Sequence, residues 1–276
     1  MRPPKQGRSR RKTEGWAGYA AFSLIELLVV IAVIAILAAL LLPVLNKAKN
    51  QGAKAADFSN LRQIMLAVHV YADDNKDILP WPNWDYGTVM PNGVARSGWL
   101  YTINTATSGP AIFNPQTSLL WDSLHSGEGT KVLLCPMDQP TVPVNSEHYG
   151  KVAYRPMQFS TYIMNGAVMG FRTGYESNAM PVKAMQMLPT DCILFEADDR
   201  EPFCYNDGSS WPSEGVTTRH SNGATEGLSD GSASYIRDDD WLDEINDPNK
   251  NSLWCYPLAD DGGDPEYGHR TFDWSP

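Results

Sequence analysis

An uninterrupted apolar run near the N-terminus constrains this chain more than any other feature. Residues 27–45 read LLVVIAVIAILAALLLPVL and contain no polar side chain. A helix that rises about 1.5 Å per residue would carry this run across the roughly 30 Å hydrocarbon core of a bilayer. A buried core helix is the alternative, but such helices are usually shorter and interrupted by polar positions. The run therefore predicts a single transmembrane helix.

The distribution of charge predicts how that helix is oriented. The chain has 32 acidic and 22 basic residues, for a net charge of −10. Six basic residues precede the apolar run: Arg2, Lys5, Arg8, Arg10, Arg11 and Lys12. Because cytoplasmic flanks are rich in Lys and Arg, we expect the N-terminus to be cytoplasmic and the C-terminal part to be periplasmic or extracellular. The acidic C-terminal part repels phosphate, so we expect no nucleic-acid partner.

The junction before the apolar run carries a second signal. It reads Ala20-Ala21-Phe22-Ser23-Leu24-Ile25-Glu26, in which a small residue precedes an aromatic one and a carboxylate follows. A charge deep in a bilayer costs roughly 2.5 to 3.5 kcal/mol on insertion scales. Glu26 therefore either reaches the headgroup region or has a functional partner, and the residues alone leave both alternatives open.

This junction resembles the class III signal of type IV prepilins and type II secretion pseudopilins. The resemblance implies that a prepilin peptidase cleaves between Ala21 and Phe22 and that Phe22 is N-methylated, although Ala21 stands where Gly is usual. It further implies residence in the inner membrane and assembly with other pseudopilin subunits through the helix. Glu26 would then pair with the N-terminal amine of a neighbouring subunit, and Pro43 falls where many of these helices carry a proline.

The helix is expected to continue beyond the apolar run. Phe58, Leu61, Met65 and Val68 recur at helical spacing, and residues 46–60 contain no proline. Pro80 and Pro82 follow and would end the pattern. We therefore predict a leader at 1–21, a transmembrane helix at 22–45, an amphipathic extension of that helix at 46–75 and one domain at 76–276.

The C-terminal domain has the pattern of strands and loops. Turn-forming residues interrupt every apolar run within about ten residues, as in strand-rich domains. Strands are predicted at 131–135, 160–164, 192–196, 216–220 and 232–236. The expected fold class is α+β, with the long N-terminal helix packed on an antiparallel β-sheet that has elaborate loops.

A second resemblance lies in this domain. His220 is followed after nine residues by Asp230-Gly231, and Cys135-Pro136-Met137-Asp138 and Tyr162-Ile163-Met164-Asn165-Gly166 accompany it. The combination resembles the prepilin-type processing-associated H-X9-DG proteins. Asp-Gly between extended runs predicts a two-residue hairpin turn, which His220 would cap or hydrogen-bond. The polar stretch 224–229 predicts that this hairpin is exposed; an acid/base pair of His220 and Asp230 is the alternative.

We expect no enzymatic activity and at most one cofactor. The sequence has no nucleophile elbow, HExxH, phosphate loop or dinucleotide fingerprint. Four carboxylates among turn-formers suit calcium, although a solvated acidic loop is the alternative: Asp260, Asp261, Asp264 and Glu266. Cys192 and Cys204 form the most local pair for a disulfide, but Cys192 also fits a small buried apolar residue.

The leading hypothesis is a pseudopilin-like structural subunit of a type II secretion or type IV pilus-like apparatus. The alternative is a membrane-anchored cell-surface module that binds polysaccharide or protein. Its basis is a set of tryptophans in Pro- and Gly-rich surroundings, whose exposed faces would bind sugars: Trp81, Trp84, Trp211, Trp254 and Trp274.

Overall fold

The computed structural model describes residues 23–84, 97–104, 112–124, 129–146, 148–171, 180–264 and 268–269. The chain divides into two compact units between Ala48 and Lys49. The first unit holds the apolar part of a long helix. The second holds the rest of that helix and all the strands described below.

Helix α1 extends from Leu24 to Asp74 and continues through Pro43. Its N-terminal part is long and apolar enough to cross a membrane, with a mean hydropathy of 3.3 over its most apolar window. Every side chain from Leu24 to Leu45 is exposed in the single chain. A surface of this kind is stable only in lipid or against other apolar helices, which agrees with the predicted single-pass anchor.

The part of α1 within the second unit buries one face. Leu61, Ile64, Met65 and Val68 are fully buried, as their spacing predicts, and Phe58 is half-buried. The helix ends at Asp74, after which two non-glycine residues adopt a positive φ: Lys76 (61°) and Asp77 (68°). Such conformations break a helix, so the chain turns away here.

The second unit contains nine strands and two short helices in its described residues. In chain order these are β1 (Thr102–Ile103), β2 (Phe113–Asn114), α2 (Trp121–Leu124), β3 (Val144–Ser146), β4 (Lys151–Ala153), β5 (Tyr162–Asn165), β6 (Cys192–Glu196), β7 (Ser209–Ser210), β8 (Gly223–Leu228), β9 (Ala233–Arg237) and α3 (Asp238–Asn246). The main sheet has the order β7-β5-β6-β8-β9; β1 pairs with β2 and β3 pairs with β4. The α+β class is confirmed, with one parallel pair, β5 and β7, in an otherwise antiparallel sheet.

Three predicted strands are confirmed and one is replaced by a helical turn. Strands β5, β6 and β9 lie where 160–164, 192–196 and 232–236 were predicted. The prediction at 131–135 is wrong, because Gly129–Leu133 forms a 3-10 helix. Its carboxyl end is held by Thr161, whose backbone N–H donates to the Leu133 carbonyl at 2.8 Å. A four-residue apolar run does not by itself distinguish a strand from a buried helical turn.

The prediction of a strand at 216–220 is also wrong. Only Val216 forms a bridge there, with Ala197, and Ser221 and Asn222 have positive φ values of 62° and 67°. The strand follows instead as β8, which is buried from Gly223 to Gly227 despite its polar sequence. The expected exposure of this hairpin is therefore incorrect for residues 223–227, where the Thr225 side chain has buried partners.

Helix α3 was not predicted, because its sequence DDDWLDEIN has few apolar residues. Its first turn carries three aspartates, whose negative charges interact favourably with the positive end of the helix dipole. Trp241 and Ile245, four positions apart, supply the buried face, and the indole N–H of Trp241 donates to the Pro212 carbonyl at 2.9 Å. A single apolar pair is enough to dock a helix this short.

Candidate functional site

The start of α1 is organised by Ser23 and Glu26. The Ser23 hydroxyl accepts the Ile25 N–H at 3.3 Å, and the Glu26 carboxylate accepts the Ser23 N–H at 2.9 Å. This is a capping box, which satisfies two N–H groups that a helix start leaves unpaired. The S-x-x-E spacing would have predicted it. Glu26 thus has a partner within its own chain.

Two residues named for processing lie outside the described residues. They are Ala21 and Phe22, so cleavage and methylation between them stay predictions. Pro43 lies inside α1, where its ring removes one backbone hydrogen bond. Membrane helices tolerate such a proline more readily than soluble ones do.

A buried polar cluster in the second unit joins four segments distant in sequence. Asp57 comes from α1, Cys135 from the turn after the 3-10 helix, Glu196 from the end of β6, and His220 from the loop before β8. All four are buried, and one donor atom from each lies within 4.8 Å of the others. The His220 Nε2 lies 3.3 Å from Cys135 Sγ, 3.3 Å from Glu196 Oε2 and 3.5 Å from Asp57 Oδ2.

Hydrogen bonds from the sheet hold the two carboxylates of this cluster in place. The Tyr162 hydroxyl donates to Asp57 Oδ1, and the Thr225 hydroxyl contacts Asp57 Oδ2. The same hydroxyl lies 3.0 Å from Glu196 Oε2, which also accepts the Thr225 N–H at 2.9 Å. The polar residue Thr225 in β8 therefore supplies hydrogen-bond donors to the two buried acids.

Two buried arginines extend the cluster. Arg219 pairs with Glu196 Oε1 at 2.8 Å and with Asp138 at 3.4 Å. Arg155 donates to both oxygens of Asp138, at 3.0 and 2.8 Å. A pocket of about 290 Å³ opens beside these arginines, and neither Cys135 nor His220 is among its lining residues. Asp57, Cys135, Glu196 and His220 are each 3% exposed or less, so the cluster does not present an acid, base or nucleophile to solvent.

Burial sets the protonation of the cluster. Burial, reinforced by Glu196, raises the pKa of the Asp57 carboxyl. Burial also raises the pKa of the Cys135 thiol, and both carboxylates reinforce this shift. For Glu196 burial acts in the same direction, but the hydrogen bond to His220 and the charge of Arg219 outweigh it and lower the pKa. Of the two acids, Asp57 is the one without an arginine.

The two ends of the H-x9-DG pattern do different work in the structure. Gly231 has a φ of 85°, and its N–H donates to the Leu228 carbonyl at 2.9 Å. Residues 229–232 connect β8 to β9, so the connection is longer than the predicted two-residue turn, and Asp230 does not have the positive φ that such a turn requires. Asp230 is exposed, whereas His220 is buried in the cluster. The His220 side chain therefore does not cap the hairpin turn, but its backbone N–H donates to the Gly223 carbonyl at the start of β8 at 3.2 Å, and the alternative acid/base pair with Asp230 is not formed.

The predicted disulfide is not formed in the structure. Cys192 and Cys204 are both buried and both carry free thiols. Cys192 lies in β6, where its thiol contacts the Leu194 carbonyl at 3.5 Å, and the Cys204 thiol lies 3.6 Å from the Glu214 carbonyl. The alternative, in which Cys192 serves as a small buried apolar residue, describes what is observed.

The acidic loop near the C-terminus is only partly described. Asp261 Oδ1 accepts the Gly263 N–H at 3.0 Å, Asp264 is buried and bridges to Gly268, and Glu266 lies outside the described residues. Calcium binding by Asp260, Asp261, Asp264 and Glu266 stays a prediction.

The tryptophans proposed for sugar binding are not openly exposed where the structure describes them. Trp254 is fully buried and stacks on His269 with a centroid separation of 4.4 Å. Trp81, Trp84 and Trp211 are half-buried, and Trp274 lies outside the described residues. These four described rings pack within the domain more than they present flat faces to solvent.

Comparison with known families locates a match in the N-terminal segment. Residues 16–42 match the family model described as the prokaryotic N-terminal methylation motif. The matched span includes Ala21, Phe22 and Glu26. The chain therefore carries a prepilin-type N-terminus, which supports a pilin- or pseudopilin-type protein processed by a prepilin peptidase, a class that is generally structural rather than enzymatic.

Comparisons with curated proteins and with solved structures found no match. The family match ends at residue 42. The resemblance of the C-terminal domain to the H-X9-DG set therefore stays a prediction.

Proposed function

We propose that this protein is a pseudopilin-like structural subunit, cleaved between Ala21 and Phe22 and used in a type II secretion or type IV pilus-like apparatus. The single observation that carries the proposal is the family match over residues 16–42. It covers the cleavage junction, Glu26 and most of the apolar run. The proposed orientation places the leader in the cytoplasm and the C-terminal domain in the periplasm or outside the cell.

The exposed apolar surface of α1 supports assembly as well as anchoring. Its side chains from Leu24 to Leu45 are all exposed in the single chain. In lipid this surface is satisfied by acyl chains, and in a filament the same surface would be satisfied by neighbouring copies. Either environment removes the apolar area from water, so one helix serves both the membrane-bound and the assembled state.

Glu26 is proposed to mediate subunit contact after cleavage. Removal of the leader leaves an amine on Phe22, and N-methylation keeps that amine basic. In a helical bundle poor in water, a carboxylate and an ammonium group stabilise each other, and removing one leaves the other uncompensated. The capping box seen within the chain is the competing role, since it would stabilise the helix start without any neighbour.

A glutamine substitution separates these two roles. Glu26→Gln keeps an oxygen that can accept the Ser23 N–H but removes the charge. If subunit pairing depends on charge, Glu26→Gln will lose assembly as Glu26→Val does, whereas a capping role predicts that Glu26→Gln assembles normally. Site-specific cross-linking between α1 helices in membranes measures the outcome. Thr13→Ala in the leader is the control and should cross-link like wild type.

The anchored binding module remains the competing function. It requires the same cleavage or anchoring but no contact between copies. The Glu26→Val chain tests it. If that chain fails to cross-link but is still displayed at the surface and still binds a polysaccharide or protein ligand, the binding module is favoured. The half-buried tryptophans give this alternative no specific support.

A further inference from the structure

We propose that Asp57, Cys135, Glu196 and His220 form a site for a borderline transition-metal ion, with Zn²⁺ as the natural occupant. The proposal goes beyond the function as a secretion or pilus subunit and does not depend on it. It rests on the geometry of four buried atoms that can ligate a metal, on the hydrogen-bond donors available to those atoms, and on the formal charge of the buried groups.

The three distances from His220 fit a tetrahedral ion. Zinc binds His nitrogen, carboxylate oxygen and Cys sulfur at about 2.0 to 2.3 Å, so neighbouring ligand atoms in a tetrahedral site lie about 3.3 to 3.8 Å apart. The His220 Nε2 lies 3.3, 3.3 and 3.5 Å from Cys135 Sγ, Glu196 Oε2 and Asp57 Oδ2. All three are therefore edge lengths of such a tetrahedron.

His220 Nε2 and the Thr225 hydroxyl make more polar contacts than they have hydrogens to donate. An imidazole nitrogen carries at most one hydrogen, yet the Cys135 sulfur and two carboxylate oxygens converge on Nε2 of His220. The Thr225 hydroxyl also has one hydrogen, yet it lies between Asp57 Oδ2 and Glu196 Oε2. A cation at the centre of the four donor atoms would satisfy all of them at once.

The formal charge of the buried groups points the same way. Asp57, Asp138 and Glu196 are buried carboxylates, and Arg155 and Arg219 are the buried guanidinium groups beside them. Among the described residues Asp57 pairs with neither arginine nor lysine. A divalent ion bound to a Cys135 thiolate would bring these buried groups to neutrality, because the thiol releases its proton to solvent as the metal–sulfur bond forms. Asp199, which pairs with Arg219 at 3.1 Å, is partly exposed and stands outside this set.

The ligand types select the metal class. A thiolate and an imidazole favour zinc and related ions over calcium and magnesium, which prefer all-oxygen sites. Four protein ligands leave no open position, as in structural rather than catalytic zinc sites. The sulfur also accepts the Met137 N–H at 3.5 Å, a contact that stabilises a thiolate, and Tyr162 orients Asp57 as an outer partner.

The consequence is a metal clip between the helix and the sheet. It would join α1, the 133–138 turn, β6 and the loop before β8. Along the sequence, Asp57 and Cys135 are 78 positions apart, and Cys135 and Glu196 are 61 positions apart. An ion that binds only the folded state raises the melting temperature by mass action.

The first experiment measures metal in the full-length chain, purified in detergent without a polyhistidine tag. Mass spectrometry of the elements should find about one zinc per folded chain, as a closed four-ligand site requires. After chelation, added Co²⁺ should produce a sulfur-to-cobalt charge-transfer absorption, and the melting temperature should fall on chelation and recover with Zn²⁺.

Variants then locate the site. Cys135→Ser should lose the charge-transfer band, while Cys204→Ser, a buried cysteine outside the four-residue cluster, should keep it. His220→Gln should lower zinc content by tenfold or more. A folded wild-type chain, judged by near-ultraviolet circular dichroism, that holds no zinc and gives no cobalt band would overturn the proposal. That wild-type result decides the matter even if the variants fail to fold.

Discussion

The hydroxyl of Tyr162 donates a hydrogen bond to the carboxylate of Asp57, across 105 positions of sequence. The donor lies in β5 and the acceptor in α1, and both side chains are buried. This bond ties the helix to the main sheet through polar groups, and the Thr225 hydroxyl of β8 makes a second polar contact to the same carboxylate. Losing the donor would leave Asp57 with fewer partners in a place that water does not reach.

Tyr162→Phe is therefore expected to destabilise the second unit. Removing one partner of a buried hydrogen bond to a charged group costs about 1 to 3 kcal/mol. Urea unfolding of the full chain in detergent, followed by tryptophan fluorescence, measures the change. Tyr154→Phe is the control, because Tyr154 is 63% exposed and should shift the free energy of unfolding by less than about 0.5 kcal/mol. Equal effects of the two substitutions would contradict this role.

Glu226 in β8 predicts a stability that falls as pH rises. Burial, with Glu244 next, raises the pKa of this carboxyl to about 7, and its Oε2 has no hydrogen-bond partner among the described residues. The folded chain therefore holds a proton that the unfolded chain releases near the model-peptide value of 4.5. Between these two pKa values the free energy of unfolding falls as pH rises, by on the order of 3 kcal/mol in total from Glu226.

Replacing the buried acid tests this pH dependence. Glu226→Gln should reduce the decline, leaving the part that Asp57 and Asp191 contribute through their own raised pKa values, and make the chain more stable than wild type at pH 8. Asp243→Asn, an exposed change on α3, should leave the decline intact. Unfolding curves from pH 5 to 8 compare the free energy of unfolding of the three proteins. If wild type and Asp243→Asn both become more stable as pH rises over this range, the assignment to Glu226 is refuted.

Gly227 lets α1 approach β8 closely. A Cβ at this position would lie 2.9 Å from Met65 Cγ and 3.0 Å from its Sδ, and Met65 is fully buried. Gly227→Ala should therefore cost about 1 to 3 kcal/mol through overpacking. Gly52→Ala is the matched control: it lies in α1 with open space around it and should gain up to about 1 kcal/mol from helix propensity. Similar effects at both positions would show that the close approach is unimportant.

The sequence predicted those parts of the fold that local pattern determines. The spacing of Leu61, Met65 and Val68 gave the buried face of α1, and the apolar run CILFE gave β6. The cluster was not predictable in the same way, because Asp57, Glu196 and Thr225 are ordinary polar residues until the fold brings them together. His220 was singled out by its motif, but its partners come from segments that no periodicity links to it.

Strand β8 shows why the prediction of an exposed hairpin failed. Its sequence GATEGL has two glycines and two polar residues, which indicate exposure by composition. The structure buries them because Gly227 makes room for Met65 and Thr225 hydrogen-bonds two acids. Long-range contacts, rather than local propensity, determine burial here.

Glu26→Val should leave membrane insertion and cleavage intact but abolish subunit assembly. Valine is apolar, so insertion is no harder, and the cleavage junction is unchanged. The lost carboxylate would leave the amine of a neighbouring Phe22 without its partner. Co-purification of an epitope-tagged copy with an untagged copy measures assembly, with Thr13→Ala as control. Wild-type recovery of the untagged copy with Glu26→Val would exclude the assembly role.

Cleavage between Ala21 and Phe22 is the step on which the account most depends. The intact mass and N-terminal sequence of the protein isolated from membranes of a host with a prepilin peptidase measure it directly. The account predicts a chain that begins with N-methylated Phe22 and retains α1, and a full-length chain when the peptidase is inactivated. A membrane-bound chain that keeps residues 1–21 in the active host, or a released chain that begins near residue 56, would contradict it.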